Sequence, residues 1–389
     1  MNKTAINPKR LEWCIDTFEI NLEELSSKLN ISINTLKAAM DNQAVISMKQ
    51  LENLAIFFNR SLLFFVNKKQ INEKLIYSPQ FRTINNKKPI HSQKIVGFIE
   101  RVEKQREIFL TLLEYLEIEV PVQWSNTIDI KNKSITEIAN KTRKWLNLDK
   151  TNDFNSLREE IENKGIMVIL TNGYAGQWQI DKRNSISGFS LYYELLPVIV
   201  VKKQLSKARQ SFTLLHELAH LLLHKTSMID NDNDFYKYQG KEKEANEFAG
   251  QVLIHDNFLS QININELLEN KIKDYDLYLK NFKVNWGVSG DAIMVRLLKN
   301  KKIPQNLYDE YRSYKKEKEG LERLKNQNKK GGTPRIYRYR EPLNIFGKKY
   351  VNTVFDALSS KNITLYKAST YLDNLTISSL KKLQNEIQF

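Results

Sequence analysis

The stretch Arg209-Gln210-Ser211-Phe212-Thr213-Leu214-Leu215-His216-Glu217-Leu218-Ala219-His220-Leu221-Leu222-Leu223-His224 constrains this chain more than any other part of it. Its leucines and Phe212 ask for a buried helix over Ala208 to Leu223, yet His216, Glu217 and His220 stand in the middle of it. Two imidazoles and a carboxylate in apolar surroundings are costly unless something satisfies them. Residues four apart on a helix lie one above the other on the same face. His216 and His220 can therefore offer two ring nitrogens to one metal ion, and Glu217 beside them can reach a metal-bound water. The chemistry implied is that of a zinc hydrolase, with the histidines as ligands and Glu217 as general base. The five-residue pattern also arises by chance with structural histidines. Strands before it, the correct helical register and a carboxylate-bearing helix after it favour zinc.

Zinc in hydrolases usually takes three protein ligands and leaves one position for water. The third is expected from Lys241-Glu242-Lys243-Glu244-Ala245-Asn246-Glu247-Phe248-Ala249, where three glutamates compete. Glu242, Ala245, Asn246 and Ala249 share a face at i, i+3, i+4 and i+7, and the small residues there permit close approach to the histidine helix. Glu244 lies about 200° around the helix from Glu242. Glu242 is thus the expected ligand, and Asn246, one turn on, is placed to hold a histidine from behind. His224 continues the ladder, but its Cα falls about 12 Å along the axis from that of His216 and its face has drifted. Packing or support of a ligand is its expected role. Tyr174, Tyr192 and Tyr193 are equal candidates for stabilising an oxyanion.

Around this centre the periodicities predict a predominantly helical α+β protein. Residues 7–66 read as a compact helical bundle with apolar positions Leu11, Ile15, Phe18, Leu22, Leu25, Leu29, Leu36, Met40, Leu51, Leu54, Phe57 and Phe58. Asn21 caps one short helix, with Glu24 completing a capping box, and Ser32 caps the next. The break between them, Leu29-Asn30-Ile31-Ser32, makes a helix-turn-helix pattern. Helices are predicted over Ser92–Ile118, Ile135–Leu148, Asn155–Asn163, Glu242–Ile254, Ile264–Phe282, Ser289–Lys299 and Tyr350–Leu383. Strands are predicted at Gly165–Leu170, Ile186–Leu191 and Val198–Val201. Lys315 to Lys330 is dense in charge and reads as a solvated helix or linker. Thr364 to Leu380 echoes Asn21 to Leu36 in its order of caps and helices, a likeness that chance between short amphipathic helices accounts for.

Composition narrows the setting. Cys14 is the only cysteine, so no internal disulfide forms, which fits a reducing cytosol. The polar start and the shortness of every apolar run predict no signal peptide and no membrane span, and hence a cytoplasmic protein. The net charge of +15 is spread over a chain rich in Lys, Asn and Ile, and scattered lysines are ordinarily a solvated surface.

Phe212 to His224, followed by Glu242 to Ala249, resembles the ImmA/IrrE family of metalloproteases. Gly188, Pro197 and Arg209 fall where that family has its strands and the entry to its helix, and Asn285-Trp286-Gly287-Val288-Ser289 is similar to its closing segment. The resemblance covers about Asn163 to Ile303. His255 departs from it, since many relatives have proline there, and leaves the ligands untouched. The N-terminal part resembles the Xre helix-turn-helix family. What the resemblance implies is a helix-turn-helix domain at 1–70, a linker and long helix at 71–120, a zincin-like protease domain with a small sheet at 121–305, a charged linker at 306–340 and a small helical tail at 341–389. It also implies Zn2+ as cofactor and an Xre-type repressor as protein substrate, cut to release repressed genes.

The helix-turn-helix pattern has two readings. In one, Ser32 to Asn42 enters a DNA major groove with Ser32, Asn34 and Lys37 near it. Against that, the acidic and basic side chains of residues 1–60 balance, and Glu23 with Glu24 would repel phosphate. In the other it pairs with a like module in a repressor. The alternative to a protease is a DNA-binding transcription regulator or antitoxin whose zinc domain only folds or senses. The presence of Glu217 favours the protease, because a structural site has no use for it.

Overall fold

A computed structural model describes residues 3–17, 20–58, 60–69, 93–120, 128, 130–148, 153–172, 176–181, 184–204, 206–231, 240–326 and 335–387. The chain falls into two compact units, Met1–Lys104 and Gln105–Phe389. The long helix Gln93–Tyr115 runs across the boundary of that division, and the C-terminal helices fall within the second range.

In the first unit, α1 (Pro8–Thr17), α2 (Leu22–Leu29), α3 (Ile33–Met40), α4 (Met48–Phe57) and α5 (Leu62–Val66) surround a core of Leu11, Leu25, Leu36, Leu51, Leu54, Phe58 and Phe65. Phe18 lies outside the described residues. Two-residue strands β1 (Lys3–Thr4) and β2 (Ile46–Ser47) pair antiparallel. Asn21 Oδ1 accepts from the Glu24 N–H at 2.7 Å and Ser32 Oγ from the Thr35 N–H at 3.1 Å, the two caps expected from sequence. Glu24 does not complete a capping box; its carboxylate pairs with Lys28 Nζ at 2.5 Å. Asn30 ends α2 in the left-handed region at φ 54°, which asparagine tolerates, and buried Ile31 plugs the turn before Ser32 opens α3. Cys14 is in this core, and burial pushes its thiol up to about 12. Arg60 forks onto Glu100 at 2.6 and 2.8 Å.

The second unit is built on a four-stranded sheet. Its strands are β3 (Met167–Leu170), β4 (Ile186–Leu191), β5 (Val198–Val201) and β6 (Met228–Asn231), in the order β3-β5-β4-β6. β3 runs parallel to β5, while β4 is antiparallel to both β5 and β6. The first three match the sequence reading. β6 escaped it because Met228-Ile229-Asp230-Asn231 is too short and too polar to stand out, as suits an edge strand. The register slips between Ile186 and Gly188, a bulge in β4.

Helices α6 (Ile135–Trp145), α7 (Phe154–Asn163), α8 (Lys207–Ala219) and α9 (Gly240–Leu253) pack on this sheet and on one another around a core that includes Leu157, Ile161, Val168, Ile199, Val201, Leu214, Leu218, Phe248 and Val252. The run expected as a single helix over Ile264–Phe282 is four pieces instead, Ile264–Glu269, a 3₁₀ turn at Ile272–Asp274, Tyr275–Tyr278 and Lys280–Trp286. The break comes where Asn270 turns extended at ψ 154°. The charge-dense segment is helix Gln305–Asn326, anchored by buried Tyr308 and Tyr311 and by Lys315 Nζ on Asp276 at 2.7 Å.

Buried Arg158 ties the C-terminal region into this unit. Its guanidinium donates to the carbonyls of Val168 in β3 at 2.6 Å, Asn344 at 2.7 Å and Ile345 at 2.9 Å, and pairs with Glu162 at 2.7 Å. Gly347 interrupts helix Glu341–Ser359 at φ 83°, where a Cβ would collide with the Glu162 carboxylate. The echo of Asn21–Leu36 persists in three dimensions. Thr364 caps Leu365–Tyr371, Thr376 caps Ile377–Ile387, and the extra turn residue is absorbed by two left-handed residues, Asp373 and Asn374.

Candidate metal centre

α8 starts at Ser206, whose Oγ accepts from the Arg209 N–H at 3.3 Å, and carries His216 and Glu217 into the interior. The winding then changes: His220–His224 is a π-helical turn, ended by Lys225 in the left-handed region at φ 44°. Such single turns within α-helices are frequent at functional sites. α9 lies against α8 through Ala245 and Ala249, both fully buried, and presents Glu242 from its first turn. The face chosen from the sequence is the face that meets the histidines.

His216, His220 and Glu242 converge, each offering one ligand atom within 4.8 Å of the others. The two Nε2 atoms are 3.1 Å apart, and Glu242 Oε2 is 3.3 Å from His216 Nε2 and 3.8 Å from His220 Nε2. Both histidines are fully buried and Glu242 nearly so. The edge of a tetrahedron around zinc with bonds of about 2.05 Å is roughly 3.3 Å, so the three atoms are spaced as three corners of such a site. Glu242 Oε2 is buried without a hydrogen-bond partner, an expensive state for a carboxylate oxygen that a cation would relieve. The donor set, two imidazoles and one carboxylate, is one that zinc accepts in hydrolases and that leaves a position for water. The residues fit the ion.

Glu217 is fully buried one residue after His216. What makes room for it is Gly188, at the bulge of β4. A Cβ there would stand 2.8 Å from Glu217 Oε1, 2.7 Å from Thr213 Cγ2 and 2.9 Å from the Val200 carbonyl. The sequence offered Gly188 only as part of a resemblance; its steric role needed the sheet. Gly188→Ala is expected to destabilise the fold by about 1–3 kcal/mol through overpacking. Metal content should stay at the wild-type level, as thermal melts and metal analysis on one preparation will show.

The other candidates fall around this cluster. Asn246 is half-buried one turn beyond Glu242 on the same helix. Tyr193 stacks under the Arg106 guanidinium, 3.5 Å from its ring centroid, and the Tyr192 N–H donates to Ser227 Oγ at 2.8 Å. Tyr174 lies outside the described residues. His255 caps the short helix Asp256–Leu259, its Nδ1 accepting from the Asn257 N–H at 3.2 Å. The surprise is Glu244. It points away from the metal-type cluster, as expected, yet its carboxylate is 3.0 Å from His224 Nε2, and His224 Nδ1 is 2.9 Å from His220 Nδ1. In the first unit, Ser32 spends its hydroxyl on the α3 cap and on Thr35 Oγ1 at 2.8 Å, while Asn34 and Lys37 are exposed.

The class of site is therefore a buried His-His-Glu centre with an adjacent carboxylate, carried on two helices beside a small sheet. Residues 162–298, about a third of the chain, match the family model Peptidase_M78, described as the IrrE N-terminal-like domain, a metallopeptidase family. Every residue of the centre lies within the match. No curated protein matches the chain. Among the described residues, no helix is long and apolar enough to cross a membrane.

Proposed function

We propose that the chain is a regulatory zinc endopeptidase of the cytoplasm that cuts a repressor-type protein and so controls transcription. The observation that carries this reading is the convergence of His216, His220 and Glu242 beside buried Glu217, inside the segment that matches a metallopeptidase family. His216 Nε2, His220 Nε2 and Glu242 Oε2 would hold the ion. Zinc bound there supplies a Lewis acid that polarises the scissile carbonyl and brings the pKa of a coordinated water toward about 7.

The rest of the work belongs to the chain. Glu217 accepts the water proton on a carboxylate oxygen and delivers it to the leaving amide nitrogen, which otherwise departs as an unstable anion. Burial keeps bulk water from competing for that proton, and Gly188 leaves Oε1 the space it needs. The capped α2–turn–α3 pair is the targeting part, a helix-turn-helix of Xre type with exposed Asn34 and Lys37 available to a repressor module or to DNA.

The test is to incubate the zinc-loaded chain with repressors encoded near its gene and resolve the products by mass spectrometry. Discrete fragments that appear with zinc and vanish with a chelator are expected. Intact repressors under both conditions, with the chain zinc-loaded, would overturn the reading.

A further inference from the structure

We infer that His224 and Glu244 form a proton-orienting chain that fixes the tautomer and ring orientation of His220, making them positioning residues for the metal. The inference rests on the reading of His216, His220 and Glu242 as ligands and deepens it. Glu244, 54% exposed at its side chain, offers His224 a carboxylate oxygen, an acceptor of hydrogen bonds. The proton between it and His224, 3.0 Å away, therefore sits on His224 Nε2. A neutral imidazole with its proton on Nε2 has its lone pair on Nδ1. His224 Nδ1 faces His220 Nδ1 at 2.9 Å, so the proton of that bond must come from His220. His220 is thereby left with its lone pair on Nε2, the atom that stands 3.1 Å from His216 Nε2 and 3.8 Å from Glu242 Oε2.

His224 follows His220 by four residues, as His220 follows His216, and side chains at that spacing are neighbours on a helix. The ring centroids are 5.0 Å apart for His220 and His224 and 4.9 Å for His216 and His220, so the three rings form one ladder that ends in the π turn His220–His224. The His224 side chain is only 4% exposed, so its ring is held by its surroundings and its orientation is transmitted to His220. Glu244 sits two residues after Glu242 on α9, so the same helix supplies a carboxylate to the centre and a carboxylate to the chain behind it. Outer partners of metal-binding histidines typically change metal affinity by about 10–100-fold when removed.

Two measurements test this on the full-length chain. With histidine nitrogens labelled, long-range ¹H–¹⁵N NMR on the metal-free protein reads the tautomer of each of the five histidines. His220 is expected protonated on Nδ1 and His224 on Nε2; the opposite pair overturns the inference. Zinc titration then compares His224→Phe, which keeps the ring and removes the acceptor, with His224→Asn, whose side-chain oxygen falls near the position of Nδ1. His224→Phe is expected to bind zinc about 10–100-fold more weakly and to lose the fixed His220 tautomer. His224→Asn restores affinity to within a few-fold of wild type, which a purely structural role for the ring would not produce. Glu244→Gln, able to donate as well as accept, should loosen the tautomer of both rings. Equal zinc affinity in wild type and His224→Phe sinks this inference alone, whereas a wild-type chain that binds no zinc sinks the reading of the centre itself.

Discussion

Glu217→Gln should leave zinc binding at wild-type stoichiometry and reduce peptide hydrolysis by about 10²–10⁴-fold, the usual contribution of a general acid–base residue. The substitution replaces one oxygen by an amide of the same shape, so it fits the space that Gly188 leaves beside Oε1. It removes the ability to take a proton and leaves His216, His220 and Glu242 in place. The measurement is a comparison of cleavage rates with metal content determined on the same samples. A variant that cleaves at close to the wild-type rate would show that Glu217 is not the base. Loss of metal together with loss of activity would show that Glu217 belongs to the ligand set.

Glu242→Ala should abolish stoichiometric zinc, an effect well beyond the about 10–100-fold that loss of an outer partner causes. The two histidines alone give too few donors for a hydrolase-type zinc site, and the buried carboxylate also supplies negative charge against the cation. Glu244→Ala keeps zinc at one per chain under saturating metal, because Glu244 reaches the centre only through His224. Metal analysis after dialysis distinguishes the two variants. Zinc retained in Glu242→Ala and lost in Glu244→Ala would reverse the assignment of the two glutamates.

The centre was legible in the sequence to the extent that it obeys regular helix geometry. The four-residue spacing of His216 and His220, and the shared face of Glu242 with Ala245 and Ala249, are consequences of 3.6 residues per turn, and the structure brings those residues together. His224 is expected from its spacing to pack or to support a ligand, and its Nδ1 stands 2.9 Å from His220 Nδ1. Its pairing with Glu244 is not legible from the spacing, and nothing in Leu221-Leu222-Leu223 announces the π turn. A third histidine at the same spacing was the signal, together with a second glutamate two residues from the first. Gly188 could not be read at all from local pattern, because its reason lies in a helix that crosses its strand. The strands that fill the core announced themselves as apolar runs, whereas the edge strand β6 did not. The C-terminal helices looked like a tail because the residues that dock them, Arg158, Glu162 and Gly347, are spread over nearly two hundred positions of sequence.

The proposed activity needs one zinc ion held by two imidazoles and one carboxylate, from His216, His220 and Glu242. X-ray absorption at the zinc edge of the purified, zinc-loaded chain tests it most directly, because the scattering of imidazole rings counts them. Two imidazoles with the remaining ligands oxygen are expected, and a one-imidazole spectrum or no bound zinc in His220→Ala. Three imidazoles would place His224 on the metal and overturn this ligand set, as would a zinc shell with no imidazole at all.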